Sequence, residues 1–261
     1  MMKRIGLVLF ALLLSFSVLA GCGDAGKEQT GEGGKTVLKV GTDAQFPPFE
    51  KQEGNGEITG FDVEILNAVA NAGGFEVQLQ HVGWDPLFEG IDRGKLDAAI
   101  SAITITEERK QKYDFTEPYF DAKQLILVPT NSTVQSLKEL NGKKIGVQSA
   151  TTGEAVVQEA FGKTYQGLKG YDDIAGAIND LQVGRLDAVV VDNAVVNEYI
   201  KKLGSDKFKL VEDTSIAPEQ YGIMVKKGNT KVLEMLNEGL KKIKEDGTYD
   251  KIYDKYFGAA Q

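Results

Sequence analysis

The chain has 261 residues, 42% of them hydrophobic and 26% charged, an ordinary globular composition with length enough for two lobes. Its net charge of −8 disfavours a nucleic-acid partner, which would need a basic face. With one cysteine, Cys22, and one histidine, His81, no intrachain disulfide can form. A Cys/His metal cage or catalytic pair would draw on two residues of very different context, so neither a metal nor another cofactor is expected.

Met1 to Arg4 supply a basic start, and Ile5 to Val18 are apolar, a run short for a membrane span but right for a secretory signal over 1–21. Leu19, Ala20, Gly21 and Cys22 resemble the lipobox of bacterial lipoproteins. That resemblance implies cleavage before Cys22, lipidation of its thiol and anchoring at the outer face of the cell membrane. The plainer alternative is an uncleaved anchor helix with a buried cysteine. The stretch 22–35 is Gly-rich and charged, with no apolar periodicity, and reads as a tether. Its Gly33 to Thr36 looks like the tail of a phosphate-binding loop, but the first glycine of such a loop would fall on Gln29 and no strand precedes it.

The folded body begins at Thr36. Val37 to Val40 predict a strand that runs out at Gly41, Thr42 and Asp43, the kind of strand end where open α/β sheets place ligand groups. In the Pro-rich loop that follows, Phe49 reads as core cover, whereas Phe46, close behind Asp43, could line a site. Gly60 to Gly73 carries Val63, Leu66 and Ala70 at helical spacing and ends in glycines. Phe75 to Gln80 predicts a strand, Trp84 follows in a loop with Asp85 and Pro86, and Leu87 to Gly94 predicts a helix.

Gly94 to Arg109 organises the rest. Leu96 to Ile100 reads as a strand, followed by a turn of small and hydroxyl residues (Ser101, Ala102, Thr104) and a helix capped by Thr106. Arg109 then stands in the first turn, where the helix dipole disfavours a cation. Either it points into solvent or an anion is meant to meet it. Gly184 to Val196 repeats the Gly, Lys/Arg, Leu, Asp, Ala start, Asp187 matching Asp97, which suggests two similar lobes with a ligand between them.

Gln124 to Val128 is apolar enough for a strand crossing to the second lobe. There, Lys144 to Val147 predicts a strand, and Gln148 to Gly153 leads through Thr151 and Thr152 into a helix from Glu154. Its N-terminus is either a plain capped end or an anion seat. The second repeat strand ends in Asp192, a carboxylate that is costly after a run of valines unless it is paired or at the strand's open end. Val232, Leu233, Leu236, Leu240 and Ile243 share one helical face and, with Ile252, Tyr253 and Tyr256, read as packing.

Gly60 to Gly73 fits the signature of the polar amino-acid family of solute-binding proteins, the extracytoplasmic receptors of ABC importers. GTDAQFPPFE, WDPLFEGI, SAITITEERK, YDFTEPYF, GVQSATTGE, VDNAVVNEY, QYGIMVKKG and DGTYDKIYDKYFG keep the family's order and spacing from Thr36 to Gly258. The resemblance implies an α/β, two-lobe periplasmic-binding-protein-like fold (type II). Each lobe would be a mixed, mostly parallel sheet flanked by helices, and two hinge segments near Tyr119 to Gln124 and Ile216 to Tyr221 would join them. Lobe one is then 36–121 and 220–261, lobe two 122–219. It further implies that Phe46 and Trp84 sandwich the ligand's side chain, that Asp192 takes its α-ammonium, and that the partners are a free amino acid and an ABC permease. The protein is expected to act as a monomer.

A free amino acid is a zwitterion. Its carboxylate asks for a planar fork, which Arg109 offers, helped by Thr104 and the Thr151 to Thr152 turn. Its ammonium asks for Asp192, the main chain near Ala102 and the Thr104 hydroxyl, with Ser101 in the same turn. Phe46, Trp84, Asp43, Gln148 and Glu50 remain for side-chain choice. An ionised Asp43 and paired aromatics favour arginine, then lysine, ornithine and histidine. Glutamine is the rival ligand, and a dehydratase on the same fold the rival class, although no nucleophile beside a base, metal set or GxSxG is present.

Overall fold

The computed structural model describes residues 34–204 and 206–258. The signal segment and Cys22 lie outside the described residues, as does the tether apart from Gly34 and Lys35.

Two five-stranded sheets carry the molecule, and they share one arrangement of strand directions. In the first, Glu76–His81, Val37–Thr42 and Ala98–Ala99 lie side by side and parallel, followed by Met224–Lys226 and Tyr113–Phe115. Met224–Lys226 runs antiparallel to both its neighbours. In the second, Leu168–Tyr171, Ile145–Gln148 and Ala188–Asp192 are parallel, and Gln124–Pro129 runs antiparallel between Ala188–Asp192 and Phe208–Val211. Strand Ala188–Asp192 is buried along its whole length, as its run of valines requires.

The sequence repeat does the same work in both sheets. Asp97 Oδ2 accepts from Lys39 N at 2.8 Å and Asp187 Oδ2 from Lys144 N at 2.7 Å, so each carboxylate holds a main-chain N–H of the neighbouring segment, Lys39 within Val37–Thr42 and Lys144 just before Ile145–Gln148. Leu96 fills the space over Gly41 and Gly90, and Leu186 fills it over Gly146; a Cβ on Gly41 or Gly146 would stand 2.5 Å from that leucine. Leu96 N donates to Gly90 O at 3.1 Å instead of to a strand, and the strand expected over Leu96 to Ile100 shortens to Ala98–Ala99.

Helix Phe61–Gly73 has Asp62 and Glu64 in its first turn and ends in the left-handed Gly74. It packs against Thr230–Glu245 at Gly239, where a Cβ would lie 2.3 Å from Val69 O. Val232, Leu236, Leu240 and Ile243 are buried on that face, and Leu233 is half-buried beside them. Phe49, Phe61, Phe120, Tyr221 and Phe257 form a mostly edge-to-face aromatic cluster under the same helices, which gives Phe49 the core position expected of it.

Phe120–Ala122 and Glu219–Tyr221 pair antiparallel as a two-stranded ribbon. The chain passes from the first sheet to the second through one of these strands and returns through the other. Tyr221 also bridges to Thr104, so the ribbon is tied to the edge of the turn after Ala98–Ala99.

Candidate functional site

A cleft of about 320 Å³, counting the solvent open to it, lies between the two sheets, and eleven of the residues singled out in the sequence line it. From the first sheet come Asp43, Phe46, Trp84, Ser101, Ala102, Thr104 and Arg109; from the second come Gln148, Thr151, Thr152 and Asp192. Glu50 is not among them: it is fully buried behind the wall, hydrogen-bonded to Ser101 Oγ at 2.9 Å. Its suggested part in side-chain choice is therefore corrected.

Asp43 follows the end of Val37–Thr42 and is buried. Its N–H donates to Ser101 Oγ, and its carboxylate accepts from Gln45 Nε2 at 3.3 Å and Gln148 Nε2 at 3.2 Å. His81 Nδ1 lies 3.8 Å from Asp43 Oδ1 and accepts from Ala44 N, which in a neutral ring leaves the proton on Nε2. Burial, the largest influence, raises the Asp43 pKa above the usual carboxylate value, and the two amide donors oppose it.

Trp84 is the first residue of helix Trp84–Asp92 rather than part of a loop. Pro86 fits there because the first turn of a helix needs no N–H from it. The indole Nε1 donates to Ala150 O across the cleft at 3.3 Å.

Thr106 caps the short helix Glu107–Lys110, accepting from Arg109 N at 3.1 Å. The Arg109 guanidinium does not point into solvent. It donates to Thr104 O at 2.8 Å and Ala150 O at 3.4 Å, and it lies 5.4 Å from the ring centroids of both Trp84 and Phe88. Among the described residues no carboxylate forms an ion pair with it. Burial lowers its pKa, while Glu219 and Asp192 act in the opposite sense.

Ala102 and Ala150, the positive-φ residues other than glycine among those described, both stand at this cleft, at φ 46 and 58. Such backbone costs about 1–2 kcal/mol per residue. Each N–H is held by a carboxylate, Asp62 Oδ2 at 2.8 Å for Ala102 and Glu154 Oε2 at 2.7 Å for Ala150.

In the second lobe, Thr151 caps helix Thr152–Phe161, and its hydroxyl is also engaged with Gln148 O at 2.7 Å. Asp192 ends its strand and accepts from Tyr221 Oη of the ribbon. Burial first, and then the nearby Glu219, raise the Asp192 pKa to about 7.

Glu219 is the residue that sequence reasoning missed. Its Oε2 accepts from Thr104 Oγ1 and Thr152 Oγ1, both at 3.0 Å, and from Gln124 Nε2 at 3.3 Å, joining both lobes at the ribbon. Nothing in the stretch Pro218 to Gln220 distinguishes it from a surface glutamate. Its place follows from the pairing of Glu219 with Ala122.

Among the described residues no group of three or more His, Cys, Asp or Glu side chains could hold a metal, and no helix is long and apolar enough to cross a membrane. Two like sheets, a two-stranded connection and a polar cleft between them define the periplasmic-binding-protein class of fold. The model of the bacterial extracellular solute-binding proteins, family 3, matches residues 38–259, and the chain belongs to that family. It is 38% identical over 252 residues to the "Probable histidine-binding protein" of Neisseria gonorrhoeae, covering 95% of this chain and 93% of that one. The crystal structure of the arginine-, lysine-, histidine-binding protein ArtJ from Geobacillus stearothermophilus superposes with a TM-score of 0.83 at 44% identity, covering 87% of this chain and 97% of that one. An ancestral arginine-binding protein bound to glutamine gives 0.78 at 43% identity, covering 85% and 98%.

Proposed function

We propose that the cleft captures a free L-amino acid, arginine or another basic one, and that the protein delivers it to an ABC permease from a lipid anchor at Cys22. The observation that carries this reading is that Arg109 and Asp192, contributed by different lobes, line one cavity. A zwitterion spanning them joins its carboxylate to the guanidinium and its ammonium to the carboxylate, so binding favours the state in which the lobes meet. Main-chain N–H groups at the start of Thr152–Phe161 add to the carboxylate seat.

Asp43, Phe46 and Trp84 line the same cavity, and an anionic acceptor with two aromatic faces suits a cationic, planar side chain. Relatives named for histidine and arginine support a basic ligand. Glutamine stays as the second reading, because an arginine-binding ancestor has been solved with it. The named binding relatives also favour a receptor over an enzyme.

Native mass spectrometry of protein purified without ligand exchange tests the reading. A co-purified basic amino acid is expected, and a protein that binds neither arginine, lysine, histidine nor glutamine on titration would overturn it. For the anchor, Cys22→Ala should abolish lipidation and release the protein; an unmodified wild-type N-terminus would refute that part.

A further inference from the structure

Behind the cleft wall, two carboxyl groups meet. Glu50 opens the short strand Glu50–Gln52, Asp62 lies in the first turn of helix Phe61–Gly73, and both are fully buried. Glu50 Oε2 and Asp62 Oδ1 are both buried and meet no hydrogen-bond donor, and the two carboxyls are near enough to act on each other. Two ionised carboxylates are acceptors only, so these two oxygens can satisfy each other only if one carboxyl keeps a proton.

The remaining oxygens decide which group carries it. Asp62 Oδ2 accepts from Ala102 N and Tyr119 Oη, each at 2.8 Å, so Asp62 gathers donors as an anion does. Glu50 accepts only from Ser101 Oγ, at 2.9 Å. Asp43 and Tyr119 are the other titratable groups that face the pair, and no cation stands among them. Burial and the neighbouring Asp62 push Glu50 well above the usual carboxyl range, and burial raises Asp62 less.

We propose that Glu50 and Asp62 share one proton, Glu50 as the neutral acid and Asp62 as the anion, and that the pair positions Asp43, Ser101 and Ala102 at the cleft. Two chains of hydrogen bonds run from it. One passes from Glu50 through Ser101 Oγ to Asp43 N, and the other from Asp62 to the strained Ala102 N and, through Tyr119, to the ribbon, where Tyr119 N donates to Tyr221 O at 2.9 Å. That these groups receive the ligand rests on the proposed function; the shared proton does not.

The test uses ligand-free protein labelled with 13C only at glutamate side-chain carboxyls. Glu50 is the one buried glutamate among the described residues, so one carboxyl signal should remain protonated at about pH 7 and be missing in Glu50→Gln. Because the folded pKa lies above the unfolded one, Glu50 makes stability fall as pH rises between the two values. Within that interval the wild type should lose up to about tenfold in its folding constant per pH unit, a slope Glu50→Gln removes.

Asp62→Asn should weaken arginine binding by about tenfold and move the Glu50 titration downwards, since its anionic neighbour is gone. Glutamate carboxyls all ionised at neutral pH, a protonated signal surviving Glu50→Gln, or arginine affinity unchanged in Asp62→Asn would each overturn the proposal. If Glu50→Gln does not fold, the wild-type titration decides alone. If the wild type does not bind arginine, the function reading fails while the proton is still read directly.

Discussion

Gln148 Nε2 stands 3.2 Å from Asp43 Oδ2, a hydrogen bond between residues 105 positions apart that crosses from one sheet to the other. Gln148 is itself held by Asp172 O at 3.1 Å, so the Asp43 carboxylate meets a donor fixed by the opposite lobe. Under the proposed function, a ligand side chain reaching this corner would meet both lobes at once.

Asp43→Asn removes the charge and keeps the size and one acceptor. Arginine should lose on the order of 1–3 kcal/mol of affinity and glutamine far less, the range for hydrogen bonds to charged groups. Titration of both amino acids into both proteins checks this. Equal losses would reduce Asp43 to a support for its loop, and a wild type that prefers glutamine would select the second reading.

Arg109→Ala should weaken amino-acid binding by about 2–5 kcal/mol, roughly thirty- to several-thousand-fold. Because Arg109 also ties Thr104 O to Ala150 O across the cleft, calorimetry should be paired with thermal unfolding. A folded variant with near-normal affinity would contradict the carboxylate role.

With Asp192 as the proposed partner of the ligand's ammonium, binding should depend on pH. With its pKa raised to about 7, the free carboxyl is largely protonated below that value, whereas the ligand's ammonium requires the anion. Affinity should therefore fall as pH drops below about 7, approaching tenfold per unit, with one proton released on binding. Calorimetry in buffers of different ionisation enthalpy measures that proton. Glu219→Gln removes a neighbouring negative charge and should shift the midpoint down; a midpoint that stays put would remove Glu219 from this account.

Gly239→Ala tests the helix contact. Its Cβ would press on Val69 O, and overpacking of this kind costs about 1–3 kcal/mol. Thermal unfolding should show the loss while the cleft, built from other elements, keeps its ligand affinity once folded.

Part of the cleft was legible in the chemistry of single residues: an arginine where a helix disfavours it, an aspartate closing a run of valines, threonines at a helix start; the paired roles of Phe46 and Trp84 were legible only through the family resemblance. The repeat around Asp97 and Asp187 foretold two like sheets. What stayed hidden depends on contacts between distant segments. Glu50, expected at the cleft, is drawn behind its wall by contact with Ser101, and Glu219 acquires its partners only when its strand pairs with Phe120–Ala122. Trp84 opens a helix where a loop was expected, because a first turn accepts Pro86.

The position of Met224–Lys226 sets an order of assembly. This strand fills the gap between Ala98–Ala99 and Tyr113–Phe115, although it is made more than a hundred residues later. A chain emerging from its N-terminus can complete the sheet spanning Gln124–Pro129 to Phe208–Val211 while the other still lacks its fourth strand. Until that strand arrives, two edges of the first sheet remain open, and a chain ending before Met224 leaves them open permanently.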